Sequence, residues 1–150
     1  MTTHTPTSPA GREHHGRRTW STRRVAGAAA GGFLAVSAFQ VAAALGAPVG
    51  PAAFGGAHDG VLPAELRVVS AVAAGAWGLA AFHALTAGGV VRRSPRLADR
   101  RISWGLAGVT TVGALMNAAS PSVWERFGWA PYTAGLAVLC VVLARRGRAA

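Results

Sequence analysis

The stretch VAGAAAGGFLAVSAFQVAAAL, residues 25–45, decides the fold because it carries no charged residue and has no polar face. It contains nine Ala, three Gly and seven Val, Leu or Phe residues. A soluble amphipathic helix needs a polar side, which this segment lacks. About 20 apolar residues are enough to cross a hydrocarbon core about 30 Å thick. The stretch therefore predicts a membrane-spanning helix.

Three further segments have the same character. Hydrophobic residues make up 51% of the 150-residue chain and charged residues only 13%, about half the usual share of a soluble domain. No Asp, Glu, Lys or Arg occurs in 68–91, 102–124 or 127–144. We predict spans over about 25–45, 66–91, 102–119 and 129–144. The chain is then an all-α polytopic membrane protein, with four transmembrane helices forming a compact bundle over 25–145.

The ends of the chain are polar and basic. Residues 1–24 are rich in Thr, Pro, His and Arg without apolar periodicity, which predicts a disordered cytoplasmic tail. Residues 146–150 form a short basic cytoplasmic end. Arg23 and Arg24 could instead begin a twin-arginine export signal, but further apolar helices follow rather than a domain to export. The tail histidines His4, His14 and His15 lie on backbone too mobile to fix a metal ion, so no metal site is expected.

Arginine is distributed unevenly along the chain. All 15 basic residues are Arg, and the five polar segments hold five, one, five, one and three of them in chain order. Cytoplasmic loops of membrane proteins retain positive charge, so both termini and the middle link should face the cytoplasm. The clusters are suited to anionic lipid headgroups. They are not interleaved with aromatic residues along one face, which argues against a nucleic-acid partner.

The first connector, GAPVGPAAFGGAHDGVLPAELR, covers residues 46–67 and is rich in turn-forming Gly and Pro. His58 and Asp59 are its only adjacent acid–base pair, and no third group holds them in place, so no catalytic role is expected. Pro63 is placed to begin the second span, with Glu65 in its first turn.

The third link, SPSVWERFGW, covers residues 120–129. Ser122 and Glu125 have the spacing of a capping box, which predicts a short interfacial helix ending near Gly128. Aromatic residues around it predict a belt at the lipid headgroups. The members of that belt are Trp124, Phe127, Trp129 and Tyr132.

Two of these connecting segments resemble those of a known group of proteins. GAPVG, GG and VLPAELR within 46–67, followed by PSVWERFGWAP at 121–131, are similar to small four-span integral membrane proteins of high-GC bacteria that have no assigned activity. The resemblance implies the four-span fold and a bacterial cytoplasmic membrane. It implies no catalytic or binding residue.

Polar side chains within the predicted spans are the candidates for function. No Asp, Glu or Arg lies in a span core, so the usual proton carriers of pumps are missing. Counting 1.5 Å per residue from the flanking arginines places Gln40 and Asn117 in one layer, about 24 Å deep. It places His83 near Thr110 and Thr111, about 13 Å deep. We expect hydrogen bonds within each layer, which either join the helices or form a ligand site.

These patterns favour a non-enzymatic accessory or interaction subunit, or a homo-oligomer packed through Gly and Ala faces such as Gly27-x-x-x-Gly31. No nucleophile elbow, phosphate loop or carboxylate pair is present, so no catalytic residue or cofactor is expected. The alternative is a protein that binds a lipid or hydrophobic small molecule beside His83, an intramembrane group that can titrate. Cys140 is expected to be a small buried side chain. The equal spacing from Arg24 to Gln40 and from Arg101 to Asn117 hints at two repeated hairpins.

Overall fold

The computed structural model describes residues 21–91 and 99–146, and these contain helices and no strand. The helices are α1 (Thr22–Ala44), α2 (Ala64–Ala87), α3 (Arg100–Ala119) and α4 (Ala130–Arg146), and a π-helical turn, Glu125–Trp129, leads directly into α4. Each of the four, with Glu125–Arg146 taken as one helix, is long and apolar enough to cross a membrane. The chain is therefore an all-α membrane protein, as the sequence predicts.

The first helix begins three residues before the predicted position. The Ser21 side chain accepts a hydrogen bond from the Arg24 backbone N–H and caps the helix. Residues 22–24 thus belong to α1, while residues 1–20 of the predicted tail, and residues 92–98 and 147–150, lie outside the described residues. At the other end of α1, Arg67 Nε donates to Ala44 O at 2.9 Å, so a cation satisfies one of the terminal carbonyls.

The second helix ends at Ala87, four residues before the predicted boundary. Gly88 and Gly89 stop it, since Gly89 adopts a positive φ of 67° that favours glycine. The Val90 N–H returns to Leu85 O at 2.9 Å. The double glycine therefore acts as a C-cap.

The four helices form two antiparallel hairpins, α1 with α2 and α3 with α4, which meet mainly where α1 packs on α4. The largest core cluster lies between α1, α2 and α4 and includes Phe33, Ala81 and Leu143. α2 and α3 contact each other much less. The two hairpins are therefore in closer contact on one side of the bundle than on the other.

Glycines allow the helices to approach each other closely, but these are not Gly27 and Gly31, the pair expected from the sequence. A Cβ on Gly32 would lie 2.6 Å from Leu136 Cδ2, and a Cβ on Gly88 would collide with Ala26. A Cβ on Gly27 or Gly31 would meet nothing within 4 Å. Helix packing inside the bundle thus depends on Gly32 and Gly88, and the use of Gly27 and Gly31 in a homo-oligomer stays a prediction.

The two ends of the bundle differ in charge. One end, called the arginine end, holds the exposed pairs Arg23–Arg24, Arg100–Arg101 and Arg145–Arg146. The opposite end, called the connector end, holds residues 45–67 and 120–126. Its two arginines bond to nearby carbonyls, Arg67 to Ala44 and Arg126 to Ser120. Of the eight described arginines, six therefore lie at the arginine end and two at the connector end.

The predicted interfacial helix does not end near Gly128. The chain continues from Val123 through the π-helical turn into α4 without a break. The Ala130 N–H donates to Glu125 O, one residue further back than in an α-helix. Pro131 follows and has no N–H for an α-helical bond. Because the π-helical turn is wider, the helix continues through Pro131 without a break. The fourth span therefore begins at the connector end.

Candidate functional site

A cavity of about 410 Å³ lies between the two hairpins at the connector end. Phe39 and Gln40 on α1, Trp77 on α2, and Thr110 and Asn117 on α3 contribute to its wall. The remaining lining residues are Val36, Ala52, Ala53, Phe54, Val109, Val112, Gly113, Met116, Glu125, Trp129 and Thr133. The wall is mostly apolar and aromatic with a few polar groups, the usual composition of a small-molecule site.

The cavity wall contains an unsatisfied polar atom. Gln40 Oε1 is buried and has no hydrogen-bond partner among the described residues. A buried acceptor without a donor costs about 1–3 kcal/mol. The hydroxyl protons of Thr110 and Thr133 are already donated to carbonyls of their own helices, at 2.7 Å each. The Gln40 carbonyl oxygen and the two threonine hydroxyls can thus accept hydrogen bonds, while the side-chain amides of Gln40 and Asn117 carry N–H donors.

Glu125 is the one acidic or basic residue that lines the cavity within 21–91 and 99–146. It is only 8% exposed, and its Oε1 accepts a hydrogen bond from the Gly55 N–H at 2.9 Å. Across residues 21–91 and 99–146 no cationic side chain pairs with it. The structure therefore buries a carboxylate with one backbone donor and no positive partner.

The predicted capping box forms only in part. Ser122 Oγ accepts from the Glu125 N–H at 3.3 Å, as the spacing predicts. The Glu125 side chain, which should return to the Ser122 N–H in a capping box, reaches the first connector instead. Ser122 Oγ also donates to Pro51 O at 2.7 Å. The two residues therefore join one connector to the other.

The first connector closes the cavity at the connector end. Ala52, Ala53 and Phe54 line it, and Trp129 Nε1 donates to Ala52 O at 3.0 Å. Phe54 has a φ of 50°, in the left-handed region that non-glycine residues rarely adopt, and Gly55 follows with a φ of 78°. Such strain costs about 1–3 kcal/mol and persists only when surrounding contacts impose it. The bonds to Glu125 and Trp129 supply those contacts.

The four residues of the predicted aromatic belt occupy two environments. Trp124 and Phe127 are exposed, as a belt at lipid headgroups requires. Trp129 and Tyr132 are half-buried, and Tyr132 donates to Gly32 O at 2.8 Å. Trp129 packs edge-on against Phe39 with ring centroids 4.8 Å apart. Two of the four therefore build the wall between the hairpins.

Three of the five predicted site residues meet at this cavity. Gln40, Asn117 and Thr110 all line it, whereas His83 and Thr111 do not. The expected hydrogen bond between Gln40 and Asn117 is not among the bonds of the described residues, and Gln40 Oε1 has no partner there. Gln40 and Asn117 instead both line the cavity between the hairpins.

The prediction that His83 bonds to Thr110 or Thr111 is wrong. His83 Nε2 lies 2.8 Å from Ser103 Oγ, and both side chains are buried. Thr111 donates to Ala107 O at 2.7 Å within its own helix. The depth estimate assumed that α2 continues to residue 91, but it ends at Ala87, so His83 lies only about 6 Å from the helix end. Ser103, in the first turn of α3, is at that level.

Sequence reasoning did not place Glu125 or Trp77 at the site. Glu125 was interpreted only as a helix cap, although it is the single acidic residue after Asp99 and precedes an apolar span directly. That position is a signal that could have identified it. His58 and Asp59 do not line the cavity. Within the described ranges, no three His, Cys, Asp or Glu residues come together as a metal site would require.

Comparisons with known proteins identify no relative of this chain. No protein-family model, curated protein or solved structure matches the chain. The resemblance to small four-span proteins of high-GC bacteria therefore stays a prediction, and function must be argued from the cavity itself.

Proposed function

We propose that this membrane protein binds an amphipathic small molecule or lipid in the cavity at the connector end. One observation carries the proposal: Gln40 Oε1 is a buried acceptor in the wall of a largely apolar cavity, and no described residue donates to it. A ligand that donates a hydrogen bond there removes the cost of leaving it unpaired. The proposal keeps the hydrophobic-molecule alternative from the sequence but moves the site from His83 to Gln40.

The size and wall of the cavity support this function. Ligand sites usually have volumes of about 300–1,000 Å³ and combine aromatic walls with a few polar groups that fix orientation. Here Phe39, Trp77 and Trp129 provide aromatic surface, while Gln40 and Glu125 provide polar atoms. The arrangement suits a molecule with an apolar body and one polar end.

The rim of the cavity indicates how a ligand would enter. Val109, Val112 and Met116 of α3 line the cavity and are also exposed. In a bilayer, exposed apolar side chains of a spanning helix face hydrocarbon. A ligand that dissolves in lipid reaches the cavity sideways, past α3.

A cavity-filling variant tests the proposal. A Cβ on Gly113, which lines the cavity, meets nothing within 4 Å, and the same is true of Gly108, which does not line it. Gly113→Leu should fill the cavity, and Gly108→Leu adds the same side chain to another position of α3. The probe is 4-(4-bromophenyl)butan-1-ol, whose bromine quenches nearby tryptophan fluorescence. Phe replacements of Trp20, Trp104 and Trp124 leave Trp77 and Trp129 as reporters.

The protein is measured in phosphatidylcholine nanodiscs, with quenching in protein-free nanodiscs used to correct for partitioning. We expect saturable quenching that Gly113→Leu weakens at least about fivefold and that Gly108→Leu leaves within about twofold. Quenching that rises without saturation, or that is equal in both leucine variants, would contradict the proposed function.

We also propose that the arginine end faces the cytoplasm of a bacterium, so that both termini lie inside and the Arg clusters contact anionic headgroups. The support is the uneven distribution of arginine between the ends of the bundle. Single cysteines at either terminus, in a Cys140→Ala background, should react with a membrane-impermeant maleimide only after the cells are opened. Reaction of either terminus in intact cells would refute this orientation.

A further inference from the structure

We infer that the ligand of this cavity is a lipophilic organic cation, with an ammonium group at Glu125 and an aromatic or alkyl body between Phe39, Trp77 and Trp129. This inference rests on the proposed function and adds the chemical class of the ligand. It follows from the acidic group, the hydrogen-bonding capacity and the aromatic surface of the wall.

The described part of the wall holds one acidic group and no cationic side chain beside it. Glu125 is 8% exposed and, among the described residues that line the cavity, is the only Asp, Glu, Lys or Arg. A buried carboxylate is costly unless a cation or several donors satisfy it. An ionised carboxylate can accept about four hydrogen bonds, and Glu125 accepts one, from Gly55. A cationic ligand would supply the missing partner.

The hydrogen-bonding capacity of the wall also favours a donor. Gln40 Oε1 is an acceptor that has no partner in the part of the chain that the structure describes. Thr110 and Thr133 have committed their hydroxyl protons to helix carbonyls and can only accept further bonds through that oxygen. An ammonium group carries donors and no acceptor. A carboxylate or phosphate on the ligand would face the Glu125 carboxylate with like charge.

The aromatic surface suits the rest of such a ligand. Phe39, Trp77 and Trp129 all line the cavity, and tryptophan is the side chain whose ring face attracts cations most strongly. The same rings present apolar area to an alkyl or aryl body. A molecule with both parts is soluble enough in lipid to pass the exposed rim on α3.

Three probes that share one body test the inference: 4-(4-bromophenyl)butan-1-amine, the corresponding alcohol and the corresponding carboxylic acid. At neutral pH they are cationic, neutral and anionic. Binding is measured by the saturable tryptophan quenching described above, in zwitterionic phosphatidylcholine nanodiscs that do not concentrate cations. We expect the amine to bind about tenfold more tightly than the alcohol, since hydrogen bonds to charged groups are the stronger ones. The acid should bind most weakly.

The variant Glu125→Gln separates charge from structure. Its Oε1 can still accept the Gly55 N–H, so the connector should stay in place while the charge is lost. The preference for the amine over the alcohol should fall to less than about twofold, with alcohol affinity nearly unchanged. Glu65→Gln is the control, because Glu65 is exposed and also lies toward the connector end but does not line the cavity. It should keep the tenfold preference.

The outcomes distinguish a failure of this inference from a failure of the proposed function. Equal binding of amine and alcohol to the unmodified protein, or an amine preference that survives in Glu125→Gln, would overturn the inference. Saturable alcohol binding that Gly113→Leu removes would still support the cavity as a ligand site. If none of the three probes binds saturably, both the inference and the proposed function are contradicted.

Discussion

Replacement of Glu125 by Ala should loosen the first connector without unfolding the bundle. Glu125 Oε1 holds the Gly55 N–H at 2.9 Å, next to Phe54, whose φ of 50° is unfavourable for a residue with a side chain. A hydrogen bond to a charged group contributes about 1.5–3 kcal/mol. Its loss should raise the population of the open connector by a factor of about 10–150.

Hydrogen exchange measured by mass spectrometry on the protein in nanodiscs reports this population. The amides that should respond are those of Ala53, Gly55 and Gly56, whose N–H groups bond to Gly50 O, to Glu125 and to Ala53 O. We expect their exchange in Glu125→Ala to be at least about tenfold faster. Amides in the middle of α1 should not change.

Two variants show whether the hydrogen bond is the cause. Glu125→Gln keeps an acceptor for Gly55, so exchange should rise less than about threefold. Glu65→Ala removes an exposed carboxylate near the same end and should have no effect on the connector. The reasoning is refuted if connector exchange in Glu125→Ala stays within about twofold of the unmodified protein, or if Glu125→Gln is as fast as Glu125→Ala.

Two further variants probe the contacts between helices. Gly32→Val should lower stability by about 1–3 kcal/mol, because its side chain would overlap Leu136, whereas Gly31→Val beside it should change little. Thermal unfolding in one detergent compares them, and equal midpoints would contradict the packing described. Replacing His83 and Ser103 by Ala, singly and together, should give a coupling energy of about 0.6–1.7 kcal/mol, since their side chains join α2 to α3 at 2.8 Å. A double-mutant cycle with zero coupling would show that this contact does not stabilise the bundle.

The number and nature of the helices could be predicted from the sequence because lipid imposes a simple rule. A segment without charge and about 20 residues long has few alternatives to a spanning helix. Helix ends were less predictable. Gly88 and Gly89 stop α2 early, and the π-helical turn before Pro131 extends the last span toward the connector end.

The candidate site could be predicted only in part because counting residues gives depth and not direction around a helix. Gln40, Asn117 and Thr110 reach one cavity, but Thr111, one position further along α3, points elsewhere. Glu125 was missed because its backbone does follow the capping pattern, while its side chain turns to Gly55, 70 residues away in the chain. Such a long-range contact has no local signature.

Photolabelling tests the central claim, that the connector-end cavity binds a small amphipathic molecule, most directly. The probe is 4-phenylbutan-1-amine with a diazirine on its phenyl ring, irradiated with the protein in phosphatidylcholine nanodiscs. We predict that mass spectrometry finds adducts concentrated on cavity-lining residues such as Phe54, Met116 and Trp129, and that excess unlabelled amine prevents them. Adducts spread evenly over lipid-facing residues such as Leu79 and Val138, with no competition, would contradict the claim.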